Sequence, residues 1–333
     1  MIQIRSHRLL GISLVMLSSL AFSAQNIVSR IFFAQSVLLD RTAFGGFVTP
    51  TLSNIVFLLA LRMGMMTVLL GGISHGLYPK TFNSLRALFK TSRLLASVIA
   101  SGASLFLGLT LLYAALGQMA TGLVIATVFI HPALILLLAW RFFHQPPRLY
   151  QIWLMVVIFI GVLFTTVSPS SNVAPNPVLG IIFSVGSALG LAFYNIFAEL
   201  SLKGQAERPG IHPVPFSLCT FAIVALSSCL ILLSPQPITI EHSSWSSVIA
   251  LSVLAAFLTL LAYISVNTGI RYIGASLTSL LSSTTPALST LLAWWLMQET
   301  LQLQQVLGIG LVTIGVGTLS IKSSKEETTI SSS

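Results

Sequence analysis

The chain has 333 residues, of which 55% are hydrophobic and 7% charged, with a formal net charge of +9; its mean hydropathy is +0.95. Soluble domains carry about 25% charged residues, so this composition excludes a fold whose whole surface meets water and requires an integral membrane protein. The positive charge, which would suggest nucleic acid in a soluble protein, is explained below by topology.

A spanning helix needs about 20 mainly apolar residues. Ten stretches qualify: 9–31, 51–75, 94–116, 121–140, 150–167, 178–200, 212–233, 247–270, 274–296 and 304–321. The first resembles a signal peptide, with Arg5 and Arg8 before the apolar run and Ala21-Phe22-Ser23-Ala24 shaped like a cleavage site. It is kept as a span because Asn26 and Ile27 recur in a later repeat. Residues 32–50 form an unusually long connection, whereas 117–120 and 271–273 are short enough to make helical hairpins. Cys219 and Cys229 lie in one apolar segment without metal-binding spacing and read as small apolar fillers. The segment 168–177 divides the chain, and polar 322–333 is expected to be disordered.

One stretch is written twice. Pro132-Ala133-Leu134 and Leu137-Leu138-Ala139-Trp140 recur 154 residues later as Pro286-Ala287-Leu288 and Leu291-Leu292-Ala293-Trp294. The same register puts Gln151 on Gln305 and Gly161 on Gly315. A second register, of 169 residues, puts Leu20 on Leu189 and Asn26 on Asn195. Leucine matches are cheap in an apolar chain; Pro, Trp, Gln and Gly matches in register are not. The protein reads as two copies of one unit, 1–170 and 178–321, followed by the tail 322–333.

Five spans per copy is an odd number, so the second copy enters the membrane upside down. With the N-terminus in the cytoplasm, thirteen Lys and Arg fall inside and Arg41 alone falls outside. This positive-inside bias accounts for the basic charge and puts both termini in the cytoplasm. The sequence has no Asn-x-Ser/Thr sequon, which is compatible with a bacterial source, and a bacterial inner membrane is expected. The expected fold is all-α, with ten transmembrane helices in two inverted five-helix repeats. Such repeats are a recurrent plan of secondary transporters, with the site at the midplane.

Polar side chains inside the spans are the candidates for function, since each costs free energy there. Arg62 lies well within the second span. It either binds a carboxylate or phosphate of the substrate or snorkels outward. Asn26 and Arg30 share a helix face, as do their repeat mates Asn195 and Glu199. Inversion sends Arg30 outward and Glu199 inward, so a salt bridge between them is not expected. Gln25, Asn26, Tyr194 and Asn195 line a substrate cavity in one reading and bond neighbouring helices in the other. His131 is read either as a proton carrier or as a neutral, hydrogen-bonded ring, because its mate Thr285 cannot titrate. Ser283 and Thr285 belong to the run Ser282-Ser283-Thr284-Thr285, from which Ser283 is favoured to face a cavity. Pro132 and Pro286 remove a backbone hydrogen bond each and, with Arg30 and Glu199, are the expected hinge or gating residues. Tyr113, Tyr263 and Asn267 sit near helix ends and read as an aromatic belt. Ser97, Ser101, Ser104 and Gly108 form one small-residue stripe and Gly186 with Gly190 another; both read as packing seams.

The pattern of Pro286, Glu299, Gly308 and Gly315, together with Leu61-Arg62, resembles the EamA-type branch of the drug/metabolite transporter superfamily; Gln145 stands where the first copy would have the turn Glu. The resemblance implies a secondary transporter, an exporter of a small polar metabolite such as an amino acid or derivative, working by alternating access. A lipophilic-cation or drug exporter is the alternative. A channel, or a membrane-embedded hydrolase using Ser and His131, is a further reading of another class. With no nucleotide-binding or metalloenzyme motif, no enzyme activity, cofactor, metal or nucleic acid is expected. The expected partners are a small-molecule substrate, membrane lipid and a second copy in a homodimer.

Overall fold

The computed structural model describes residues 2–33, 35–37, 43–49, 51–116, 118, 121–144, 146–166, 176–205, 208–233, 238–240, 244–297 and 302–330. Asp40, Arg41, Gln145, Glu299 and most of 168–177 lie outside them, as do the side chains of Arg5, Arg208, Lys322 and Lys325. The described residues form thirteen helices and two small hairpins. Six helical segments are long and apolar enough to cross a membrane: His7–Phe33, Leu52–Leu77, Ser92–Leu116, Val178–Lys203, Pro213–Leu232 and Trp245–Ile273. Large apolar side chains point away from the protein along them and their neighbours, among them Val68, Leu107, Trp153 and Leu233. Such a surface is stable only against lipid, so the chain is a multi-pass membrane protein.

In chain order, α1 (Ile2–Phe33) leads into a hairpin of β1 (Gln35–Val37) and β2 (Ala43–Gly45), paired Gln35↔Gly45 to Val37↔Ala43. Next come α2 (Leu52–Leu77), a short α3 (Thr81–Phe89) and α4 (Ser92–Leu116). The stretch expected as one span at 121–140 is two helices, α5 (Thr121–Val128) and α6 (His131–Phe143), followed by α7 (Leu149–Thr166). The second half runs α8 (Pro177–Lys203), a hairpin of β3 (Gly204–Gln205) and β4 (Arg208–Pro209), α9 (Pro213–Leu232) and α10 (Trp245–Ile273). It continues with α11 (Ala275–Ser282), α12 (Thr285–Met297) and α13 (Leu303–Ile330).

Three differences from the sequence expectations have physical causes. Both broken stretches interrupt at repeat-equivalent residues, 129–130 and 283–284, just before Pro132 and Pro286. A proline cannot donate to the carbonyl four residues back, so the ladder fails at that point. The short α3, nine residues with Asn83 and Arg86 among them, falls in a connection because it is far shorter than the ~20 apolar residues of a span. Residues 322–330, expected to be disordered, continue α13 as helix. Extending a helix adds a hydrogen bond per residue without a new nucleation cost, and Lys322-Ser323-Ser324-Lys325-Glu326-Glu327 contains no Gly or Pro.

Packing repeats with the halves exchanged. The third helical stretch of the first half, α4, packs along α8, the first helix of the second half; α10 packs along α1 in the same relation. Likewise α6 packs on α8 as α12 packs on α1, and α4 on α9 as α10 on α2, while α2 meets α9 and α7 meets α13. Small residues make the closest approaches. Ser187 Oγ donates to Gly108 O at 2.8 Å, and Ser101 Oγ to Tyr194 O at 3.3 Å. A Cβ added at Gly190 would stand 2.8 Å from the backbone of Gly108, so the two small-residue stripes form one seam. Gly161 and Gly308 serve α7 and α13 similarly.

Candidate functional site

Ten residues separate the start of α2 from Arg62, about 15 Å at helical rise. The side chain is only 9% exposed. Its Nη2 donates to Tyr113 Oη on α4 at 2.7 Å, while its Nε is buried with no hydrogen-bond partner. Arg62, Tyr113, Ser29 of α1 and Ser252 of α10 line one small cavity, closed on its apolar sides by Phe32 and Leu58. The cavity measures about 30 Å³, room for about one water. Ser252 Oγ is likewise buried without a partner. Among the described side chains the one carboxylate is Glu199, and it is engaged elsewhere, so no acid neutralises Arg62 within the described structure.

Behind this cluster lies a second polar chain. Tyr194 Oη of α8 donates to Asn267 Oδ1 of α10 at 2.7 Å, and Asn267 Nδ2 donates to Ser217 Oγ of α9 at 2.9 Å. Tyr263, one turn before Asn267, meets Phe22, Phe221 and Tyr194 edge-on and has Arg62 and Tyr113 within electrostatic range. Six helices, three from each half, therefore converge on one polar core. This corrects the aromatic-belt reading: Tyr263 is 7% exposed and Asn267 fully buried, so both are interior groups. Distance from a helix end proved a poor measure of depth because α10 extends beyond the apolar stretch.

The other sequence candidates are placed as follows. Gln25 is buried and donates from Nε2 to Ser29 Oγ at 2.6 Å, so it adjoins the Arg62 cavity. Asn26 points away, donating to Ser289 Oγ of α12 at 3.1 Å, and Arg30 is exposed. Asn195 Nδ2 bonds the Leu191 carbonyl of its own helix. The two asparagines are thus not brought into one cavity. Ser283 lines a separate, almost wholly apolar cavity of about 150 Å³ with Phe129, Pro132 and Leu280, its hydroxyl donating to Ser279 O. The Thr285 carbonyl accepts from Ser23 Oγ at 2.9 Å. His131 Nδ1 lies 3.1 Å from Val128 O, the carbonyl that Pro132 leaves free.

Polar ties close both ends of the core. At one end Asn54, fully buried, donates from Nδ2 to Thr49 O and Oγ1 and to Thr239 O and Oγ1, and its Oδ1 accepts from Thr239 N at 3.0 Å. With the bridge Val48↔Ile240, it clasps the connection after α1 to the one after α9. At the other end Glu199 Oε2 accepts from Ala275 N at 2.7 Å, and Oε1 pairs with Lys203 at 2.6 Å. A carboxylate at the first residue of α11 is favoured by the helix dipole. Gly274 precedes it with φ +85°, and a Cβ there would stand 3.0 Å from Glu199 Oε1. Here too Tyr78 stacks on His212 at 4.0 Å, joining the end of α2 to the start of α9. Burial, and secondarily the charge of Arg271, hold the His212 pKa below its usual value.

Ser29, Ser217 and Ser252 were missed in the sequence, since serine is too common in apolar helices to signal anything alone. Asn54 carried a usable signal, an amide just inside a span after the capping Thr51.

Comparisons with known proteins agree with this architecture. Residues 178–321 match the model of the EamA-like transporter family. The chain is 33% identical over 315 residues to the uncharacterized transporter sll1319 of Synechocystis sp., covering 94% of this chain and 93% of that protein. A protein crystal structure shares the fold at a TM-score of 0.67 and 16% identity, covering 96% of this chain and 99% of that one.

Proposed function

The chain belongs to the EamA-like transporter family, and from that premise we propose that it exports a small polar metabolite, such as an amino acid or derivative, by alternating access. The observation that carries this reading is the polar core assembled from both halves, set in packing that repeats when the halves are exchanged. The ten spans are α1, α2, α4, α5–α6, α7, α8, α9, α10, α11–α12 and α13, with the second five inverted relative to the first. Two halves with equivalent contacts have two equivalent ways to pack, each opening the shared core to one side. The paired breaks before Pro132 and Pro286 supply the bending points. A lipophilic-cation exporter would want a carboxylate in the core; Glu199, the one described, is occupied by Lys203 and the start of α11.

The test is flux. Purified protein in liposomes is screened for thermal stabilisation by metabolites, since a ligand at 100 times its dissociation constant adds about 2.7 kcal/mol. Hits are then assayed by counterflow of the labelled compound. Saturable counterflow of a polar metabolite is expected. Flux that never saturates would indicate a channel, and flux restricted to lipophilic cations would move the assignment to drug export.

A further inference from the structure

We propose that Arg62, Tyr113 and Ser252 form a subsite for the carboxylate of the transported molecule, an inference that rests on the transport reading above and names its substrate class. Hydrogen-bond donors in this cavity are left without partners, although each hydroxyl lining it could also accept. Arg62 Nε is buried and unpartnered, and so is Ser252 Oγ. Tyr113 Oη accepts from Arg62, leaving its own proton to donate, and Ser29 Oγ accepts from Gln25 with the same consequence. Guanidinium can only donate, and an ionised carboxylate can only accept. A ligand that accepts at two oxygens and carries one negative charge satisfies the set. Two arms of the planar fork can hold it.

Charge decides between anions. Arg62 is the one cationic side chain lining this cavity, so a carboxylate is neutralised one for one, whereas a phosphate dianion would leave a buried net charge. The present volume of about 30 Å³ admits no metabolite, which places binding in a state where the Asn54 clasp, eight residues along α2 and thus about 12 Å away, or the opposite end has opened. Both unpartnered atoms are then groups held ready for a ligand that the closed arrangement has expelled.

The probe is propionate against propionamide, which match in shape and differ in charge, with inorganic phosphate as a third arm. Binding is read as thermal stabilisation of purified wild type, Arg62→Gln, Arg62→Lys and Ser252→Ala. Propionate is expected to stabilise the wild type and propionamide not. Arg62→Gln should weaken propionate binding by about tenfold or more, the value of losing a charge-assisted hydrogen bond. Arg62→Lys should fall between, and Ser252→Ala, the variant least disturbing to the fold, should weaken it several-fold. Equal responses to propionate and propionamide, including none to either, would overturn the proposal. So would a propionate response unchanged in folded Arg62→Gln, or a stronger response to phosphate. Counterflow separates the two readings. Propionate binding through Arg62 without flux of any metabolite sinks transport and keeps the subsite; flux indifferent to Arg62→Gln sinks the subsite and keeps transport.

Discussion

At His131 the ring supplies what the next residue removes. Pro132 cannot donate to the Val128 carbonyl, and His131 Nδ1 stands 3.1 Å from that oxygen. A side chain serving as a backbone donor has no need to titrate, so His131→Gln should lower thermal stability while leaving the pH dependence of transport unchanged; a lost pH dependence would make the ring a proton carrier after all. His212 is the pH-sensitive ring. Its Nδ1 accepts from Val214 N, capping α9, and its pKa lies below 6.5 through burial and then Arg271. As pH falls past 6.5 the unfolded chain takes up the proton and the folded protein resists it, so stability declines. Melting temperature measured from about pH 5 to 8 should therefore drop on the acid side, and His212→Asn, which still offers a capping oxygen, should flatten that drop. Arg62 was legible in the sequence because a charge inside a span always demands an explanation. Ser252 and Ser29 were not: Ser252 matters for the partner it lacks and Ser29 for its place beside the Arg62 cavity, and only three-dimensional proximity shows either.

Among elements, the contact of α4 with α8 has little tolerance for added volume. At Gly190 an added methyl would press on the backbone of Gly108 and on Ser104 O, whereas at Gly310 it would meet nothing within 4 Å. Gly190→Ala should destabilise by about 1–3 kcal/mol through overpacking, and Gly310→Ala should be neutral or gain about 0.5–1 kcal/mol from helix propensity. Detergent-solubilised melting curves distinguish them, and equal effects would mean that the seam yields. The apolar stretches were legible because a run of about 20 such residues has few alternatives in water or lipid. The interruptions at 129–130 and 283–284 were less so. Proline was visible at both sites, but whether a helix bends or divides depends on which neighbouring groups take over the freed carbonyl. In α5–α6 that group is an imidazole, a choice no hydropathy scale encodes.

For the whole molecule, the proposed inversion makes a directional prediction. A reporter fused after Lys322 should read cytoplasmic and one inserted at 172–176 external; the same side for both would end the inverted-repeat reading. Under that topology the Asn54 clasp faces outward, and its geometry lends itself to control by chemistry. The hydroxyls of Thr49 and Thr239 lie 3.1 Å apart, and the native thiols Cys219 and Cys229 are both free. In a background with those two replaced by Ala, cysteines at 49 and 239 would bring two sulfurs to near-bonding separation. Oxidation would then weld the outer connections shut and dithiothreitol would release them. If the clasp parts in every cycle, the oxidised protein stalls and the reduced one resumes, giving a transporter whose turnover is set by the redox potential of its surroundings.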